Sequence, residues 1–108
     1  MSHDLYLEID TGGEYPTVVA DVGNYTSNVS GMWAKALGER LREFHGRNAG
    51  ESVPQLDRGI ADMQANRLDY EAMNPPNGWG SYGGALDYLR TLRDCCARHP
   101  KTTIRVSC

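Results

Sequence analysis

The sequence predicts an α+β fold: an N-terminal β-hairpin and a C-terminal strand form a small, mainly antiparallel sheet covered by two to three helices. Two periodicities carry that expectation. Residues 5–9 and 102–108 alternate apolar and polar side chains, and residues 17–22 set Val18, Ala20 and Val22 on one face, the repeat of a strand with one face in a core. Residues 29–44, 56–63 and 82–96 instead repeat apolar side chains every three or four positions, as an amphipathic helix does. At 108 residues the chain matches the size of one domain, and no linker, repeat or low-complexity stretch divides it, so a single domain over 1–108 is expected.

The first strand places Leu5, Leu7 and Ile9 on the core face, with Tyr6, Glu8 and Asp10 opposite. Asp10-Thr11-Gly12-Gly13 supplies turn chemistry, Pro16 marks the start or an unpaired position of the second strand, and Val18, Ala20 and Val22 share one of its faces. The polar run Asn24 to Asn28 then reads as a loop in which Ser27 or Asn28 caps a helix carrying Val29, Met32, Trp33, Ala36 and Leu37. Leu41 and Phe44 extend the stripe, so this helix either runs to about His45 or bends at Gly38. Ser52-Val53-Pro54 reads as the start of a second helix that stops near Asn66. Leu68, Tyr70 and Met73 are expected core contacts before Asn74-Pro75-Pro76-Asn77-Gly78 forces turns. Ser81 caps the last helix, whose apolar face holds Tyr82, Ala85, Leu86, Leu89, Leu92 and Cys96. His99-Pro100 ends it, and Ile104, Val106 and Cys108 point inward from the final strand.

Composition narrows the function classes. No stretch approaches the roughly 20 apolar residues of a membrane helix, and Met1-Ser2-His3-Asp4 lacks the basic and apolar regions of a secretory signal, which gives a cytoplasmic expectation. A net charge of −3 argues against generic nucleic-acid binding, which depends on neutralising phosphates. Cys95, Cys96 and Cys108 are odd in number with two adjacent, so reduced thiols are expected, and with His99 they make a poor zinc set. Neither a metal nor a cofactor is implied. No catalytic constellation emerges either: His3 reads as a frayed terminus, and Cys95 and Cys96 lie at a helix end rather than at the electropositive start that activates a thiol.

Two segments carry binding chemistry. Asn24, Thr26 and Asn28 concentrate amides and a hydroxyl between a strand and a helix start, although the same residues suit caps and Asx turns. Asn77, Trp79, Ser81 and Tyr82 belong to a glycine-rich loop entering the last helix, where backbone amides and an aromatic ring could receive a flat or phosphorylated ligand; Trp79 would equally plug the edge of the core. The loop has neither the lysine of a phosphate-binding P-loop nor the preceding strand of a dinucleotide fingerprint. Arg93, on the border of the last helix's apolar face, is a candidate for an anionic group of a long ligand, or else a surface ion pair.

The pattern Asn24-Tyr25-Thr26-Ser27-Asn28 before the first helix, with Asn77-Gly78-Trp79-Gly80 before the last, resembles small uncharacterised proteins of bacteriophages and prophages. The resemblance covers residues 4–33 and 73–107, and is weak from Gly38 to Arg67. It implies action inside an infected host cell but transfers no activity and no catalytic residue. The resulting expectation is a non-enzymatic binder of a small polar or nucleotide-like ligand, such as a host signalling metabolite, held where the two loops meet. The alternatives are a module that docks on a host or phage protein and, behind it, a small hydrolase. A three-stranded sheet leaves open edges, through which a homodimer could form.

Overall fold

The computed structural model describes residues 1–108 and has the expected α+β class. Strands β1 (Ser2–Ile9), β2 (Thr17–Thr26) and β3 (Thr103–Ser107) form one antiparallel sheet in the order β2-β1-β3. Four helices accompany it: α1 (Ser30–Leu37), α2 (Ala49–Ala65), α3 (Arg67–Glu71) and α4 (Tyr82–Arg98), with short 3-10 turns at Ser27–Val29 and Leu41–Phe44. α4 lies across β1 and β2, and α2 packs on α4 and α1. Leu5, Leu7 and Ile104 from the sheet join Trp33, Phe44, Leu56, Leu89 and Leu92 in one continuous core. Asp4, Tyr6 and Glu8 alternate with the buried residues of β1 and face away from the helices, where Glu8 pairs with Arg105 across the sheet.

The two sheet edges differ. Beside β3, the Gly46 amide donates to the Ile104 carbonyl at 2.8 Å, the Ile104 amide to Arg47 at 2.9 Å, and the Val106 amide to His45 Nδ1 at 2.9 Å, so residues 45–47 close that edge. No such segment covers β2. Its pairing with β1 is irregular, because Leu5 lies opposite Gly23 but Tyr6 opposite Asp21, and Leu7 opposite Ala20 but Glu8 opposite Val18. Val22 and Val19 are therefore skipped as bulge residues.

Several expectations are corrected. β2 runs on through Asn24, Tyr25 and Thr26, so these residues are strand and not loop. His3 is the second residue of β1, only 7% exposed, and its Nδ1 hydrogen-bonds Ser27 Oγ at 2.8 Å. Ile9 and Val18 are exposed because the hairpin tip projects beyond the helices that would cover them, and Cys108 is exposed past the end of β3. α1 stops at Leu37, where Gly38 takes the left-handed φ of +79° that glycine tolerates, and Leu41 and Phe44 reach the core from a separate turn.

α2 begins three residues before Ser52. Asn48 Oδ1 accepts from the Glu51 amide at 2.9 Å as the cap, and Ser52 Oγ donates to the Asn48 carbonyl. Of the three apolar residues assigned around α3 only Tyr70 is buried; Leu68 is 81% exposed and Met73 lies at the surface, since five residues of helix turn one face inward. α4 and its Ser81 cap match the sequence expectation.

Candidate functional site

The end of β2 sends side chains to both faces of the sheet. Tyr25 points inward, with its ring 6.3 Å from that of Trp33 and 6.1 Å from that of Tyr88. Asn24 and Thr26 alternate with it and take the opposite face. Asn24 Nδ2 donates to Ser2 Oγ at 2.7 Å, which ties β2 to its partner strand, and Thr26 Oγ1 accepts from the Asn28 amide at 3.3 Å to start the 3-10 turn.

The loop before α4 is shaped by its own side chains. Asn77 Oδ1 accepts from the Trp79 amide at 2.9 Å in an Asx turn, and Asn74 Oδ1 accepts from the Tyr82 amide at 2.7 Å. Gly80 adopts φ +94°, and a Cβ there would stand 2.6 Å from Thr26 Cγ2 and 2.9 Å from Val29 Cγ1. Only glycine suits both the backbone and the gap.

That close approach joins two segments half the chain apart. Asn28 Nδ2 donates to the Trp79 carbonyl at 3.5 Å, and the Ser81 amide donates to Tyr25 Oη at 3.1 Å. Between them lies a cleft of about 510 Å³ lined by Ser2, Asn24, Thr26, Asn28, Asn77 and Trp79. Trp79 is 70% exposed, so its ring stands at the cleft instead of plugging the core. Asn24 Oδ1, Asn28 Oδ1, Asn77 Nδ2 and Trp79 Nε1 have no partner within the protein, while Asn24 Nδ2, Thr26 Oγ1, Asn28 Nδ2 and Asn77 Oδ1 hold the cleft's shape. The structure thus brings Asn24, Thr26, Asn28, Asn77 and Trp79 together.

Three further sequence candidates lie elsewhere. Tyr82 is 8% exposed and its hydroxyl donates to the Met63 carbonyl at 2.7 Å, so its ring is a core element with no free face for stacking. Ser81 Oγ accepts from the Gly84 amide at 3.1 Å, and with Tyr82 it borders a different groove that includes Arg67, Glu71, Asn74 and Arg90. Arg93 Nε donates to Asp57 Oδ1 at 2.7 Å and its Nη1 lies 3.4 Å from Asp94; it is a surface bridge between α4 and α2, remote from both loops. At the α4 start the Ser81, Tyr82 and Gly84 amides are already bonded and the Tyr25 hydroxyl fills the space over Gly84, which leaves the Gly83 amide without a partner in the protein.

The residue missed by sequence reading is Tyr25, the bolt between the segments; it sits inside the Asn-rich motif, but an inward tyrosine there is legible only once the run is known to be strand. The thiols take no part in the cleft. Burial pushes Cys96 up to about 12, which suppresses its nucleophilic thiolate, and Cys95 is buried beside it. No three His, Cys, Asp or Glu side chains cluster as ligands for a metal ion, and no helix is long and apolar enough to cross a membrane. Among known proteins, no family model, no curated protein and no solved structure matches the chain.

Proposed function

We propose that the chain binds a small, neutral polar ligand with a flat face, of the nucleobase or nucleoside class, in the cleft between the end of β2 and the loop before α4. The observation that carries this reading is the meeting of Asn24, Thr26, Asn28, Asn77 and the exposed Trp79 around one opening, with two amide oxygens, an amide nitrogen and an indole N–H left without partners. A heteroaromatic ring stacked on Trp79 would meet the free Asn28 oxygen and Asn77 nitrogen with its own donors and acceptors. Phosphates are not required, since no Lys or Arg side chain lines this cleft. No His, Cys, Asp, Glu or Lys side chain lines the cleft to activate its hydroxyls, which favours binding over turnover. The resemblance to bacteriophage proteins supports sequestration of a host metabolite as the biological use, with the host cytoplasm as its location.

The chain has two tryptophans, of which Trp33 is buried and Trp79 exposed, so red-edge fluorescence reports on the cleft. Titration with a panel of nucleobases and nucleosides should quench that emission for at least one member. Trp79→Phe and Asn28→Ala should each weaken the interaction about tenfold or more, the scale of one lost stacking or hydrogen-bonding partner. Absence of heat and of quenching across the panel, or unchanged affinity in Trp79→Phe, sinks the proposal.

A further inference from the structure

A second cleft, of about 390 Å³, opens on the other side of the segment Ser27–Ser30, and its chemistry is different. Arg40 and Arg42 stand at its rim on either side of the buried Leu41, and Ser30 and His3 line its wall. No Asp or Glu side chain borders it, and Met1 and Cys108 complete its lining. Arg47, Arg93 and Arg105 are each bonded to an acidic side chain, whereas Arg40 has no acidic partner and Arg42 has only its neighbour Glu43, at 3.9 Å and exposed.

His3 supplies an independent observation. Its Nδ1 is held by Ser27 and its ring stands edge-on to Trp33 with centroids 5.2 Å apart, which fixes the imidazole. Nε2 has no partner within the protein, yet the molecule contains no sealed side-chain nitrogen or oxygen lacking one. An atom of this residue, which is 7% exposed overall, that is neither bonded nor sealed opens to solvent, and the cleft is the opening that His3 lines. Burial and the Arg42 charge lower the His3 pKa below the usual histidine value, so the ring is a neutral hydrogen-bonding group at physiological pH.

We infer that this cleft is an oxyanion-binding site for a small carboxylate or phosphate monoester with a compact apolar body. The two guanidinium forks take the anionic oxygens, His3 Nε2 and Ser30 Oγ complete the polar contacts, and the apolar body rests against Ala34. This site is separate from the Trp79 cleft and does not depend on it.

The test is a ¹H–¹⁵N NMR titration that follows arginine Nε–H and histidine ring signals with phenyl phosphate, benzoate, inorganic phosphate and the uncharged control benzamide. The expected result is perturbation of Arg40, Arg42 and His3 by phenyl phosphate or benzoate and none by benzamide; the stronger of the two names the anion. Arg40→Gln/Arg42→Gln should lose at least tenfold in affinity with an unchanged melting temperature, because Arg40 has no acidic partner and Arg42 only the exposed Glu43 beside it. The Lys/Lys variant keeps the charge without the fork and should fall between. Trp79→Phe should leave these shifts unaltered. Equal responses to benzamide, shifts centred on other arginines, or full affinity in the double glutamine variant overturn the assignment.

Discussion

Two neighbouring glycines at the start of α4 offer a direct test of how its two partner segments are locked. A methyl group added at Gly83 would come no closer than 4.0 Å to Ser81 Oγ, whereas a Cβ at Gly84 would fall 1.9 Å from Tyr25 Oη and 2.5 Å from its ring carbon. Replacing glycine by alanine in a helix gains about 0.5–1 kcal/mol through backbone entropy. Gly83→Ala should realise most of that gain. Gly84→Ala must displace Tyr25, whose ring is pinned against Tyr88 and whose hydroxyl holds the Ser81 amide. Overpacking of that kind costs about 1–3 kcal/mol, which outweighs the helix gain.

The two variants should therefore differ by about 2 kcal/mol, or about 10 °C in melting temperature for a domain of this size. Urea denaturation followed by circular dichroism measures this, with an unchanged slope showing that the denatured state is not involved. Adding Tyr25→Ala to Gly84→Ala should be strongly non-additive, because the obstruction is removed together with the residue. If Gly84→Ala proves as stable as Gly83→Ala, the Tyr25 bolt is misplaced, and with it the geometry of the cleft.

Thiol titration of the native protein should find Cys108 reactive and Cys95 and Cys96 protected, with all three reacting in denaturant; rapid native modification of Cys96 would contradict its burial. Bonds from Arg47 and Gln55 hold Glu39 well below the usual carboxylate range, from 4.5 to about 2. The unfolded chain thus binds a proton before the folded one does, so the stabilisation is full above pH 4.5 and is lost as the pH falls through about 2. With the pair about a third exposed, solvent screening reduces its value to about 1 kcal/mol. Glu39→Gln should cost that amount at pH 7 and flatten the acid side of the stability profile; a parallel offset at every pH would refute the linkage.

The fold was legible where one face of an element meets the core. Leu5 and Leu7 in β1, the stripe of α4 and the Ser81 cap each declare themselves through period or local chemistry. The end of β2 was not, because Asn24 and Thr26 sit on the face away from the helices and so carry no apolar signal, and the skipped Val19 and Val22 break the alternation before them. The start of α2 was obscured by Gly46 and Gly50, which imitate a loop. Gly50 is small for another reason: a Cβ would stand 2.8 Å from Pro100. The meeting of the two polar segments was anticipated from the clustering of amides and glycines. The places of Tyr82 and Arg93 were not, since a tyrosine hydroxyl seeking the Met63 carbonyl and an arginine seeking Asp57 depend on how α2 lies against α4.

The unequal sheet edges bear on how the molecule behaves at high concentration. A bare strand is a template on which further copies can add, with chains of stacked molecules as the outcome. On β2, Val19 and Val22 interrupt the ladder twice within a few residues, and all five charged side chains of residues 1–34 are acidic. A second copy laid alongside would lose register almost at once while bringing like charges together. The open edge of the hairpin is thus kept from seeding its own precipitation.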